Sequence, residues 1–378
     1  MSKKINILYI IDYFHATGGT EKHLALLVRN LPTDIFNCSI VVFDLGRNVL
    51  IDNIRESGVP VTHLPVARAY TPNAILRARG LSKIIKTNKI DIVQTFHQKS
   101  DTYGAVIAKL SGVKHIVSSK RDTGELKKAR HFFLNKKLRF LFDRFIVVAD
   151  AVGDVIVVKE GIDRSRITRI YNGVDSTIFC PPTKEEVIQE RSRLGLSAGD
   201  YVVGMVAGFR PEKNYDVFFS GALRAMDVIP SLKILAIGGG PLLEHFRTFC
   251  AKENILSRVV FSGAIDDVTG YLKAMDVGCL LPGKNEGFSN AVLEKMASGL
   301  PLIVTDVGGN AEAVINNKNG LVIPPGDANA FCRAVVEMHS VPARRLEMGR
   351  ISRKLVEEKF TLRQMYKSHE ALYLSLLS

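Results

Sequence analysis

The sequence predicts an α/β fold in two successive halves, each a doubly wound parallel sheet. Short apolar runs rich in β-branched residues recur along the chain, and charged or periodic segments long enough for a helix separate them. At 378 residues the chain also exceeds the roughly 250 to 300 residues that one hydrophobic core commonly serves. With 46% hydrophobic and 24% charged residues and no low-complexity tract, the composition is that of a folded enzyme and excludes a disordered chain.

The first half carries INILYII, CSIVVF, DIVQTF, HIVSS and RFIVVA, and the second carries YVVGMVAG, LKILAIGG, RVVFSG, DVGCLLP, LPLIVTD and GLVIPP. The opening MSKKINILYIIDYF is basic and then apolar, as a signal peptide is, but the apolar run stops at Asp12 without a small-residue cleavage site, so a first strand is predicted. No stretch approaches the roughly 18 to 20 apolar residues of a spanning helix. Five scattered cysteines without a C-x-x-C pair point to a reducing cytoplasm and away from a zinc site. Between the halves, RIYNGVDSTIFCPPTKEE is punctuated by Asn172-Gly173 and Pro181-Pro182 and reads as a hinge. The expected domains are 1–170 and 171–357, with 358–378 as a C-terminal helix.

In open parallel sheets ligands bind beyond the carboxyl ends of the strands, so function is sought in the loops there. After the first strand, Gly18 and Gly19 open a helix whose Leu24, Leu27, Val28 and Leu31 share one side. Such a turn suits an anion or is simply structural; its spacing matches neither the dinucleotide fingerprint nor the P-loop. In the second half, VAGFRPEKNYDVFF delivers Arg210 and Lys213 ahead of a helix near Asn214, either to grip a diphosphate or as a solvated helix entry. The turn GGGPL, Gly238 to Leu242 and including Gly239, again opens a helix after a strand, for packing or for a ligand.

The segment PGKNEGFSNAVLEKMASGLPLIVTDVGG holds Glu286 and Glu294 with seven residues between them. Eight positions make about 800° of rotation, so the two carboxylates cannot share one helical face. Glu286 is placed in a loop, and Gly287 precedes a helix starting near Phe288 or Ser289, whose first turn offers N–H groups and the positive end of the macrodipole to an anion. Glu294 then projects from the second turn. Carboxylates have the paired acceptor oxygens that vicinal hydroxyls require, and two diols flanking a diphosphate describe a nucleotide sugar.

The motifs GGTEKHL, RIYNGVDSTIF, GFRPEKN, IGGGPL and EGFSNAVLEKMASGLPLIVTDVGGNAE resemble, over nearly the whole length, the retaining glycosyltransferases of the GT-B fold, family 4 (group 1). The resemblance implies two Rossmann-like domains facing across a cleft, the first on the acceptor side, the second holding the nucleotide sugar, with the C-terminal helix returning to the first. It implies that Glu294 holds the donor ribose, that Glu286 contacts the transferred sugar, and that the backbone of Phe288, Ser289 and Asn290 meets phosphates and sugar. Arg210 and Lys213 resemble the basic pair on the diphosphate, although the commonest pattern sets its arginine where this chain has Gly208. His97, in VQTFHQKSD, matches a histidine beside the reacting sugar; Thr95 stands where a second histidine is often found.

The function implied is transfer of a sugar from a nucleotide-diphosphate donor to a glycan or lipid-linked acceptor with retained configuration, in cell-surface polysaccharide or glycolipid biosynthesis. The alternatives are an enzyme of the nucleotide-sugar 2-epimerase kind and a nucleotide-sugar binding protein without catalysis. No D-x-D sequence occurs, so no metal and no other cofactor is expected, fixed positive groups carrying the leaving-group charge. Net charge is +13, and residues 120–144 contribute nine Lys/Arg against three Asp/Glu. There HFFLNKKLRFLFDRF places Leu134, Leu138, Leu141 and Phe145 on one stripe, read as a helix's core face, while basic residues interleaved with aromatics suit an anionic membrane surface. No nucleic-acid motif accompanies the charge. The expected location is cytoplasmic, peripheral on the inner membrane face.

Overall fold

A computed structural model describes residues 4–15, 18–46, 49–67, 71–125 and 127–378, without the side chains of 72 and 73. The chain divides into two compact units, Met1–Tyr171 with Met365–Ser378, and Asn172–Gln364. Ala16 and Thr17 of the first glycine-rich turn, and Leu126 of the basic stretch, lie outside the described residues.

The first unit is built on seven parallel strands, β1 (Ile5–Ile11), β2 (Phe36–Val42), β3 (Val61–His63), β4 (Ile92–Phe96), β5 (His115–Lys120), β6 (Arg144–Val147) and β7 (Ile167–Arg169), in the order β3-β2-β1-β4-β5-β6-β7. The central strands are apolar through both faces because helices cover the sheet on each side: Ile7 to Ile11 are fully buried. The two edge strands, β3 and β7, are three residues each with two of the three polar, too short and mixed to stand out as apolar runs.

Six parallel strands form the second unit: β8 (Tyr201–Val206), β9 (Leu232–Ile237), β10 (Val259–Gly263), β11 (Val277–Leu280), β12 (Leu302–Thr305) and β13 (Gly320–Ile323), ordered β10-β9-β8-β11-β12-β13. In both sheets the order reverses beside the first strand, between β1 and β4 and between β8 and β11, which opens a crevice at the carboxyl ends there. An aromatic cluster of Phe209, Tyr215, Phe218, Phe219, Phe246 and Phe331 fills the core on one side of the second sheet.

The helix Leu362–Leu377 packs on the first unit through Met365, His369, Leu372 and Tyr373. There the Tyr373 hydroxyl donates to Gln94 Oε1 at 2.6 Å and accepts from the Tyr9 hydroxyl at 3.2 Å, all three residues being fully buried. The core stripe expected in the basic stretch is not formed. The helix Ala129–Leu138 ends before Leu141 and Phe145, Leu134 is 41% exposed, and the helix's one buried residue is polar, Asn135. The Asn135 side chain receives Gln98 Nε2 and donates to Glu160 Oε1, each at 2.7 Å, so this helix docks through hydrogen bonds over buried charge.

Tyr373→Phe removes the hydroxyl and leaves the Gln94 carbonyl oxygen buried without a donor, at a cost of about 1 to 2 kcal/mol. Urea melting reads this as a lower midpoint with unchanged slope; a midpoint equal to that of the parent would show that the C-terminal helix is held by packing alone.

Candidate functional site

The predicted site residues of the second unit meet on loops after β8, β9 and β11. Phe209 and Tyr215 bracket the loop that carries Arg210 and Lys213, and their rings stack at 3.9 Å with 7° between planes. The Tyr215 hydroxyl reaches back to the Ala207 carbonyl at 2.7 Å, which closes the loop at its base. Inside, Pro211–Lys213 makes one turn of 3-10 helix and Asn214 takes the left-handed conformation (φ 57°), so the helix begins at Tyr215. Arg210 is exposed and Lys213 half-buried. The glycine turn joins this loop directly, because Phe209 N–H donates to the Gly239 carbonyl at 2.9 Å and Leu242 N–H to the Phe209 carbonyl at 3.1 Å.

After β11 the chain turns at Asn285 (φ 57°) and presents Glu286, whose Oε2 lies 2.7 Å from Lys213 Nζ. The helix Asn290–Ala297 starts one to two residues later than expected, with Ser289 as N-cap and no side-chain cap on its amides. Two donors hold the preceding carbonyls from behind: Gly309 N–H to Gly287 at 2.6 Å and Asn172 Nδ2 to Phe288 at 2.6 Å. In a trans peptide the N–H points opposite to the C=O, so pinning these oxygens aims the amides of Phe288 and Ser289 the other way. Gly308 has φ 57°, and a Cβ there would run into the Glu286 carbonyl, which explains the first glycine of the pair in DVGG. Glu294 is half-buried in the second turn, while Val292, Leu293 and Met296 fix the helix to the core.

Asn172 and Gly308 shape the loop that carries Glu286, and the sequence does not single them out. Asn172-Gly173 reads as a hinge because Asn-Gly marks turns, yet Asn172 is 5% exposed and spends its amide on the Phe288 carbonyl. No local pattern signals a bond to a residue more than a hundred positions away.

His97, Gly18 and Gly19 belong to the first unit. His97 is held at φ 74° and stacks on Tyr13 with centroids 4.4 Å apart and 9° between planes. Burial pushes its pKa down to about 4, so the ring is neutral at physiological pH. The turn after it is fixed by Asp12, whose carboxylate accepts from Lys99 N–H at 2.7 Å and Ser100 N–H at 2.5 Å. Burial raises the Asp12 carboxyl to about 6 against those two bonds. Thr95 donates to Asp101 Oδ1 at 2.6 Å, and Asp101 with Glu160 flanks the buried Lys120 amine at 2.9 and 3.1 Å. Burial alone would lower the Lys120 pKa, but the two carboxylates raise it instead. Gly18 and Gly19 are exposed at the start of the helix Gly19–Asn30, and the Glu21 carboxylate lies so close to Gly18 that a Cβ there would displace it.

Among the described residues no group of three or more His, Cys, Asp or Glu is placed to hold a metal ion, and no helix is long and apolar enough to cross a membrane.

Two family models match the chain: Glycosyltransferase Family 4 over residues 17–178 and Glycosyl transferases group 1 over residues 200–340, together about four fifths of its length. The UDP-Gal:alpha-D-GlcNAc-diphosphoundecaprenol alpha-1,3-galactosyltransferase of Escherichia coli is 28% identical over 320 residues, 82% of this chain and 81% of its own. The N-acetyl-alpha-D-glucosaminyl L-malate synthase of Bacillus anthracis is 24% identical over 87% of this chain and 86% of its own. Among solved structures, Anabaena Alr3699/HepE in complex with UDP superposes with a TM-score of 0.87 at 18% identity, covering 98% of this chain and all of that one. The chain therefore belongs to the family 4, group 1 glycosyltransferases and has their GT-B fold of two Rossmann-like domains.

Proposed function

We propose that this glycosyltransferase takes its sugar from a nucleotide-diphosphate donor bound on the second unit, and passes it with retained configuration to a glycan or lipid-linked acceptor. The observation that carries the reading is the Lys213–Glu286 pair at 2.7 Å, set beside backbone amides that pinned carbonyls aim to one side. The diphosphate is assigned to the amides of Phe288, Ser289 and Asn290, to Lys213, and to Arg210 reaching from its exposed position. Gly239 belongs to the same loop cluster and lets the backbone approach closely. Glu294 is assigned to the ribose and Glu286 to hydroxyls of the transferred sugar.

Breaking the bond from the anomeric carbon to the diphosphate leaves positive character on the sugar and adds negative charge to the leaving group. Lys213 and the helix amides are fixed before that charge develops, so they stabilise it without reorganising; Arg210 adds charge from the exposed rim, and the reaction needs no divalent ion. The first unit is assigned the acceptor side. A neutral His97, clamped against Tyr13 and backed by Asp12, can hydrogen-bond a sugar hydroxyl without adding charge; Gly18 and Gly19 are assigned to backbone contacts at the helix start. The UDP-Gal and diphosphoundecaprenol-linked sugar for which the Escherichia coli relative is named, and the UDP bound by the Anabaena protein, support a nucleotide-sugar donor and a lipid-linked acceptor.

Such an acceptor would be met at a membrane face. On and beside the helix Ala129–Leu138, Phe133 is 64% and Phe140 71% exposed among Lys128, Arg130, Lys136, Lys137 and Arg139. Exposed aromatics ringed by lysine and arginine are complementary to an anionic headgroup layer over an acyl boundary. Phe132, by contrast, is half-buried and lies 5.9 and 5.1 Å beneath the Lys127 and Lys159 amines.

With a nucleotide-sugar donor, Lys213→Ala lowers kcat/KM by about a hundredfold or more. Glu294→Gln raises the donor KM more than it lowers kcat, and Glu286→Gln does the reverse. Release of nucleotide diphosphate that depends on acceptor, measured with and without EDTA, checks all of these; parental kinetics in both glutamine variants, or full loss in EDTA with recovery in Mn²⁺, would contradict the assignment. Lys128, Lys136 and Lys137 changed together to Glu, with Phe133→Ser, abolish co-sedimentation with vesicles containing anionic lipid. Lys127 is left in place because its amine lies 3.9 Å from the buried Glu160 carboxylate. Equal pelleting of parent and variant would remove the membrane assignment.

A further inference from the structure

Lys295 is fully buried in the second unit, among the largest side chains to be so. Its stem lies across Gly278 of β11, where an added Cβ would come within 3.2 Å of the lysine Cγ and 3.3 Å of its Cβ, so the strand has kept room for it. The stem then runs back toward the start of its helix. Nζ donates to the carbonyl of Ala291, the second residue of Asn290–Ala297, at 3.1 Å, the one hydrogen bond it makes among the described residues.

Packing does not explain this side chain. A methionine fills nearly the same volume and costs nothing to desolvate, whereas a buried ammonium with one acceptor and no carboxylate in contact is expensive. Burial, the larger influence, pulls the Lys295 pKa from the usual 10.5 down to about 8. The groups that act on it are Cys279 of β11, Glu294 on its own helix and Lys213 on the turn before Tyr215, the last of which also opposes its charge. A group so poised responds to any further charge brought near. The place nearest its amine is the first turn of the helix whose amides have been assigned to the diphosphate.

We propose that Lys295 is a positioning residue of the donor site: its amine, set on the buried side of the helix's first turn, adds positive charge behind the amides that receive the diphosphate, and is driven to its protonated form when the nucleotide binds. The inference rests on the donor-site reading above. It gives Lys295 no contact with the substrate; its charge acts through the low-dielectric core, where water screens it little. An arriving diphosphate counters the repulsion from Lys213 and favours the ammonium, so binding is coupled to proton uptake.

The test is calorimetric titration of UDP, GDP and ADP into the full chain and into Lys295→Met at pH 8.5, in buffers of different ionisation enthalpy. The nucleotide's own phosphate groups are ionised at that pH, so uptake reports on the protein. The parent takes up a substantial fraction of a proton per nucleotide bound, about one half, and the methionine variant takes up much less. At pH 7 the variant binds roughly tenfold more weakly, yet melts no earlier than the parent, because a buried charge has been removed. Equal uptake in parent and variant, with tight binding in both, would overturn the role of Lys295 and leave the donor site standing. If none of the three nucleotides binds the parent, the donor-site reading falls and this inference falls with it.

Discussion

The second unit depends on how the backbone from Asn285 to Ser289 is held. Its carbonyls at Gly287 and Phe288 are engaged from behind by Gly309 N–H and the Asn172 amide, and its entry is turned by a left-handed Asn285. That clamp decides the direction of two amides, the start of the helix Asn290–Ala297 and the position of Glu286 against Lys213. The two donors come from different parts of the chain, the segment at the beginning of the unit and the turn after β12, and Lys213 from a third, the loop after β8.

The same economy governs the first unit. The role proposed for His97, a neutral hydrogen-bonding ring, depends on burial, Tyr13 stacking and the Asp12 contacts to Lys99 and Ser100 that fix the turn carrying it. Behind that turn, Asp101, Lys120 and Glu160 form a buried charge cluster whose hydrogen-bond capacity extends through Asn135 to the basic helix. A buried ion group of this kind adds little net stability compared with apolar packing but strongly penalises any arrangement that separates its members. The helix above it can therefore leave Phe133 and Leu134 exposed, because its own attachment is polar.

Most of the architecture was legible in the sequence because it rests on apolar runs. All six strands of the second sheet and five of the first stand out as such runs, whereas β3 and β7, three residues each and two of them polar, do not. Glu286, Glu294 and Lys213 stand out in the sequence because their spacing and glycine surroundings are local. Asn172 could not, since its partner is distant in the chain, and Lys295 was hidden by a rule that places lysine on solvated faces. The basic helix misled for a related reason: leucines at helical spacing signal a core face only if the helix continues, and this one stops at Leu138 before the stripe is complete.

The central claim is that a pyrophosphoryl group sits against the amides that the Gly309 and Asn172 contacts aim. A crystal structure of the chain with UDP, GDP or ADP bound tests it most directly. The account predicts phosphate oxygens within hydrogen-bonding distance of the Phe288 or Ser289 N–H and of Lys213 Nζ, with the ribose at Glu294. Nucleotide density elsewhere in the second unit, with those amides turned to solvent, would contradict it.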